Sequence, residues 1–255
     1  MSVSLTAMTC GWLEGNLGGF LAQETGTIKV PVPSYLIDHP RGRVLFDSGL
    51  HPQLQTDPRA RLGEYLASAF KPFYAPGEEV GARLRSIGVD PARINYLVTS
   101  HLHFDHVGGN SQIPNAQIVV QRREWQAGHD AELIRRNSYN RDDFDLGHDV
   151  LQIEGEYDLF GDGRVVCLPS YGHTAGTQSL RIRLDSGREV VLASDACYMR
   201  RSLEELRLPS FWHSREASLE TLLRFKQMEQ AGARLIFGHD PEQWKDAPPA
   251  PHQIS

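Results

Sequence analysis

Ser100-His-Leu-His-Phe-Asp-His-Val-Gly-Gly-Asn110 crowds four metal-ligating side chains, His101, His103, Asp105 and His106, into six residues. The string directly follows an apolar run, Ile94 to Val98, that reads as a strand. A strand end that turns into a loop lets side chains converge on a point outside the sheet. In extended backbone, residues two apart project to one side, so His101 and His103 can share one cation. Asp105 and His106 are adjacent and aim elsewhere unless the backbone turns sharply. The Gly108-Gly109 pair permits such a turn and a close backbone approach. The strip therefore offers two half-built sites side by side. Without a cation these groups would form an unrelieved polar cluster, which argues against unrelated histidines.

Two tetrahedral or five-coordinate sites need further N and O donors from elsewhere. Three stand at other strand ends. His173 lies in Pro169-Ser-Tyr-Gly-His-Thr-Ala-Gly176, after the run Val165 to Leu168. Asp195 closes the run Val190 to Ala193, and His239 follows Leu235-Ile-Phe237 in Phe237-Gly-His-Asp-Pro241. They repeat one placement and supply the missing ligand types.

The strands around these positions are punctuated by turn chemistry. Tyr35 to Asp38, His39-Pro-Arg-Gly42 and Arg43 to Phe46 read as a hairpin, as do Leu180 to Leu184, Asp185-Ser-Gly187 and Val190 to Ala193. Apolar residues at three- and four-residue steps predict helices over Glu78 to Ile87, ended by Gly88, and over Ser218 to Gln230. Residues 49–77 and 126–149 read as excursions from the core, and Ala247 to Pro251 cannot continue regular structure. Neither a repeat nor a linker divides the chain. The expectation is one α/β domain over residues 1–255, with sheets covered by helices.

Composition narrows the partners. With 26 Lys and Arg against 32 Asp and Glu, the net charge is −6, which disfavours nucleic acid because phosphate binding needs clustered cations. At 40% hydrophobic and 23% charged residues the chain is expected to be globular, not disordered. Cys10, Cys167 and Cys197 are too scattered for a disulfide framework or a thiolate zinc site. With no signal peptide, and no apolar run near the roughly 20 residues of a transmembrane helix, a cytoplasmic protein without membrane contact is expected.

The order His-x-His-x-Asp-His, later Gly-His, later Asp, final His resembles the metallo-β-lactamase superfamily of binuclear hydrolases. The resemblance runs from Leu45-Phe-Asp-Ser-Gly49 to Gly238-His-Asp240. It implies a four-layer αβ/βα sandwich, two mixed sheets with helices outside. It further implies that His101, His103 and His173 bind one metal and that Asp105, His106 and His239 bind another. Asp195 would bridge the two, and Asp47 would support the ligands from outside. All-His/Asp ligation suits two divalent ions, zinc first, with cobalt, manganese or iron able to use similar donors. Such a pair makes a bridging hydroxide available as nucleophile at neutral pH.

Within the superfamily, His103 argues for hydrolysis, since the oxygen-reducing diiron branch typically places Glu there. Asp195 argues against the β-lactamase branch. Only sixteen residues follow His239, short of the appended regions of glutathione-thioester hydrolases and nucleases. Ser100 to Asn110, Val119-Val-Gln-Arg-Arg-Glu-Trp125, Asp195-Ala-Cys-Tyr198 and Phe237-Gly-His-Asp-Pro-Glu-Gln243 are similar to the N-acyl-homoserine lactonases. That resemblance implies quorum-quenching lactone opening, with Tyr198 donating to the carbonyl oxygen and Asp105 carrying a proton to the ring oxygen. Another lactone, ester or phosphoester hydrolase of the superfamily is the alternative, and a metal-binding protein without turnover or an iron redox protein would be a different class. Phe104, inside the motif, is expected to touch substrate. Met8, Trp12, Phe20, Leu208, Phe211 and Trp212 read as ordinary packing, and His213 as a loop residue. Some relatives are dimers, and the apolar N-terminal stretch offers a surface for a homodimer.

Overall fold

A computed structural model describes residues 2–248 and 250–254. Thirteen strands run in chain order: β1 (Ser4–Asn16), β2 (Thr27–His39), β3 (Gly42–Phe46), β4 (Phe70–Phe73), β5 (Tyr96–Val98), β6 (Gln117–Gln121), β7 (Val150–Ile153), β8 (Tyr157–Asp158), β9 (Val165–Pro169), β10 (Gln178–Arg183), β11 (Glu189–Leu192), β12 (Arg234–Ile236) and β13 (His252–Ile254). One mixed sheet has the order β13-β1-β2-β3-β5-β6-β7, with β4 also on β1. The other has the order β12-β11-β10-β9-β8. The helices are α1 (Leu17–Phe20), α2 (Pro58–Ala69), α3 (Val80–Ser86), α4 (Phe104–Val107), α5 (Arg122–Ala127), α6 (Ala131–Asn137), α7 (Arg200–Glu205) and α8 (Arg215–Gln230).

Period-two patterning sorts the side chains into layers. Ile37, Val44, Phe46 and Val98 point between the sheets and meet Val165, Cys167, Leu180, Ile182 and Leu192. Their neighbours Leu36, Leu45 and Leu97 point outward, where Val80 and Leu84 of α3 cover them. On the far side Leu222 and Phe225 of α8 cover Val166, Leu168, Val191 and Leu235. The result is the four-layer sandwich expected from the sequence.

Both expected hairpins form, with Tyr35 opposite Phe46 and Leu180 opposite Leu192. The strand expected from Ile94 begins only at Tyr96, because Ile94 ends a 3₁₀ turn capped by Asp90. The two excursions are more ordered than their sequence suggests. Residues 49–77 contain α2, which buries no side chain, and β4, which pairs with β1. Residues 126–149 contain α6. The N-terminal stretch is interior: Met8 and Cys10 are fully buried in β1, which pairs with β2, β4 and β13, so this stretch is core and not a free apolar surface. Beyond the proline-rich tail, His252–Ile254 resumes regular structure as β13; Pro249, within that tail, lies outside the described residues. Among the described residues no helix is long and apolar enough to cross a membrane.

The chain after the motif explains its paired glycines. Gly108 and Gly109 have negative φ, so they are not needed for a left-handed turn. They are needed for space: a Cβ on Gly109 would lie 2.2 Å from the Ser48 carbonyl oxygen, and one on Gly108 would lie 2.4 Å from the His51 nitrogen. Gly109→Ala is therefore expected to cost about 3 kcal/mol, as overpacking against backbone does. Urea denaturation measures it, and a loss below ~0.5 kcal/mol, the range of a neutral surface change, would contradict the packing argument.

Candidate metal centre

Each expected ligand leaves the C-terminal end of a strand. His101 to His106 follow β5, His173 follows β9, Asp195 follows β11 and His239 follows β12, and the supporting Asp47 follows β3 in the same way. The adjacency of Asp105 and His106 is resolved by α4: after His103 the chain turns into one helical turn, and both side chains swing to the same point. The ligand atoms form two groups, His101, His103, His173 and Asp195 in one, and Asp105, His106 and His239 in the other.

The ring nitrogens are aimed as ligands. His103 Nδ1 lies 2.9 Å from His101 Nε2 and 3.0 Å from His173 Nε2. The Asp195 carboxylate is divided between the groups. Its Oδ1 is 3.2 Å from His106 Nε2 and 3.0 Å from His239 Nε2, while its Oδ2 is 3.6 Å from His101 Nε2 and 3.4 Å from His173 Nε2. Asp105 Oδ2 stands 3.7 Å from His106 Nε2 and 3.6 Å from His239 Nε2.

Outer partners fix the tautomers. His239 Nδ1 donates to the Pro31 carbonyl at 2.8 Å, which leaves Nε2 as the inward lone pair. His106 Nδ1 donates to Asp47 Oδ2 at 2.8 Å. Asp47 also accepts from the Ser100 backbone N–H and hydroxyl, both at 2.7 Å, and Ser100 Oγ is 3.0 Å from His101 Nδ1. Asp47 and Ser194 adopt left-handed backbone, at φ 57° and 48°, and both face this network. Non-glycine residues hold that conformation only where their surroundings impose it.

The electrostatics separate the same two groups. Burial pushes His103 down to about 4 and His173 to about 3, and holds His101 well below its usual range, so these rings are neutral. For His106 and His239 burial is outweighed by Asp195 together with Asp105, and both are raised. Burial of Asp195 is in turn outweighed by His106 and His239, which hold its carboxyl well below the usual carboxylate range. His106 Nε2 and Asp195 Oδ1 are buried without a hydrogen-bond partner despite their proximity. Orphaned ligand atoms that surround a common point, with N and O donors and no thiolate, fit two divalent cations.

Tyr198 sits at the rim of this cluster, its hydroxyl 3.4 Å from His173 Nδ1. Burial, then Asp195 and Asp105, hold the phenol well above its ordinary range, so it keeps its proton to donate. His103, Asp105, His173, Asp195, Tyr198 and His239 floor a cavity of about 710 Å³. Phe104 lines it as expected. Phe20 and Phe211, read as packing from the sequence, line it too, and Phe70 from the first excursion closes one side. Met8 packs in a core and Leu208 and Trp12 against cores, as expected, whereas Trp212 is exposed. The His213 backbone amide donates to the Gly172 and His173 carbonyls.

His39, at the end of β2, is buried, stacked on Phe160 and paired with Asp162 away from the site. One residue beside the ligands escaped the reading of the sequence. Glu124 is fully buried beside the first ligand group, although its neighbours Arg122 and Arg123 make it look like a surface acid.

Residues 27–239 match the family described as the metallo-beta-lactamase superfamily, and the chain belongs to it. The relatives narrow the class. The chain is 34% identical to the N-acyl homoserine lactonase AttM of Azorhizobium caulinodans, over 88% of this chain and 87% of that protein. It is 29% identical to the N-acyl homoserine lactonase AiiA of Bacillus thuringiensis subsp. kurstaki, over 89% and 88% respectively. A solved N-acyl homoserine lactone hydrolase, with the product N-hexanoyl-L-homoserine at its catalytic metal centre, superposes over the whole of both chains with a TM-score of 0.88 and 28% identity.

Proposed function

We propose that this chain is a metal-dependent hydrolase that opens the lactone ring of N-acyl-homoserine lactones. One observation carries the reading: the two Asp195 oxygens face two different ligand groups, at the floor of a cavity lined by aromatic side chains. His101, His103 and His173 would hold one metal, Asp105, His106 and His239 the other, and Asp195 both. Two such ions, zinc first, supply Lewis acidity toward the carbonyl and hydroxide at neutral pH.

The protein's own groups do the rest. Tyr198 Oη donates to the lactone carbonyl oxygen as negative charge develops on it. Water adds to the carbonyl carbon and the acyl C–O bond of the ring breaks. Asp105 carries the proton to the departing ring oxygen. The product is a hydroxy acid, which releases one proton at neutral pH. Phe104, with Phe20, Phe70 and Phe211, offers the acyl chain an apolar wall. The residues 1–255 act as one domain. Three buried free thiols suit a cytoplasmic, reducing setting, and a homodimer is the assembly that some relatives imply.

Substrate comparison tests the reading. N-acylated homoserine lactones should exceed a simple γ-lactone about 100-fold in kcat/KM, because burying several methylenes at ~0.8 kcal/mol each favours the acylated substrate. Equal rates on both, or turnover only of phosphoesters, would overturn the assigned substrate.

A further inference from the structure

Glu124 makes a second carboxylate hub, with partners distinct from those of Asp47. Its Oε1 accepts from the Leu102 backbone N–H at 3.1 Å and from the Tyr139 hydroxyl at 2.6 Å. Its Oε2 accepts from the Thr174 hydroxyl at 2.7 Å and from the Gly176 backbone N–H at 2.8 Å. Leu102 lies between His101 and His103, and Thr174 follows His173. The Tyr139 ring packs 5.4 Å from that of His103. One buried side chain thus joins the chain segments that carry the three histidines of the first ligand group.

The packing is equally close. A Cβ on Gly176 would lie 2.4 Å from the Glu124 nitrogen, so the loop after His173 rests directly on the start of α5. Asp47 bonds His106 directly and reaches His101 only through Ser100. Neither His103 nor His173 has any such link to Asp47.

We infer that Glu124 is the positioning residue of the first metal site, holding the segments of His103 and His173 through Leu102, Tyr139, Thr174 and Gly176. The inference rests on the dinuclear reading above. It has a chemical corollary. All four partners of Glu124 donate, two of them backbone N–H groups on opposite oxygens. A glutamine presents one oxygen and one NH2, so either Leu102 or Gly176 must face another donor.

Glu124→Gln is therefore expected to weaken the first metal 10- to 100-fold, about the cost of losing an outer partner of a ligand, and to leave the second unchanged. Zinc binding in metal buffers reads the two affinities. Histidine ¹⁵N spectra assign them: His103 and His173 should show metal-free shifts at zinc levels where His106 and His239 remain bound. Thr174→Val, which removes one donor and keeps the shape, should give a smaller loss of roughly 3- to 10-fold at the same site, and carries the test if the glutamine variant does not fold. Asp47→Asn should give the reverse pattern, with His106 released first. Equal weakening of both metals by Glu124→Gln would mark a general packing role and overturn the assignment. Two unchanged affinities would overturn it as well. A wild-type protein that takes up fewer than two zinc ions would instead overturn the dinuclear reading beneath it.

Discussion

Asp195→Ala is expected to yield a folded protein that retains neither metal through gel filtration and turns over lactone at least about a thousand-fold more slowly, the scale of losing Lewis-acid stabilisation. Asp195 is the residue with an oxygen toward each ligand group, Oδ1 toward His106 and His239 and Oδ2 toward His101 and His173. Without it, the two ligand groups would lose the one carboxylate that they share. The same removal leaves His106 and His239 without the carboxylate that most favours their charged forms. Metal analysis by mass spectrometry and proton release in a pH-stat read the two effects separately. Two retained equivalents with turnover within ten-fold of wild type would remove Asp195 from the bridging position.

Tyr198→Phe is expected to do something different: keep both metals and lower kcat about 100- to 1000-fold, the usual effect of losing one donor to a developing oxyanion. The hydroxyl lies 3.4 Å from His173 Nδ1, the nitrogen opposite the one that joins the ligand group, and Tyr198 is not itself among the candidate ligands. Its ring packs against Phe20 at 5.5 Å, a contact that phenylalanine preserves. Because the donor acts on charge that appears only in the transition state, KM should move little. Full activity in the variant would show that the carbonyl is polarised without Tyr198.

The metal centre was legible because its ligands fall in a dense string and at repeated strand ends. Spacing alone left Asp105 and His106 diverging, since adjacent residues of a strand point to opposite sides. The single turn of α4 is what brings them together, and nothing in four residues of mixed polarity announces it. The paired glycines were a truer signal than their usual reading: they mark where Ser48 and His51 press against the motif, with no left-handed turn involved. Asp47 was recognisable only through the family pattern, because a lone acid after a strand has many ordinary explanations.

The cavity walls were harder to read than the ligands. The helix α2 buries no side chain, so periodicity gave no cue to it, and Phe70 shows its role only once β4 pairs with β1. Phe20 lies after β1 in a helix of one turn, too short to carry a pattern. Glu124 illustrates the opposite failure. Its string Gln-Arg-Arg-Glu-Trp looks like an exposed helix start, and burial of the acid depends on four donors from three distant segments. Long-range polar satisfaction of that kind leaves no local trace in a sequence.

The most direct test strips the protein of metal with a chelator, then adds zinc stepwise while a pH-stat follows proton release from an N-acyl-homoserine lactone. Metal-free protein should be inactive, and the rate should climb to a plateau at two equivalents per chain. Undiminished turnover without metal, or a protein holding two zinc ions that opens no lactone, would contradict the account.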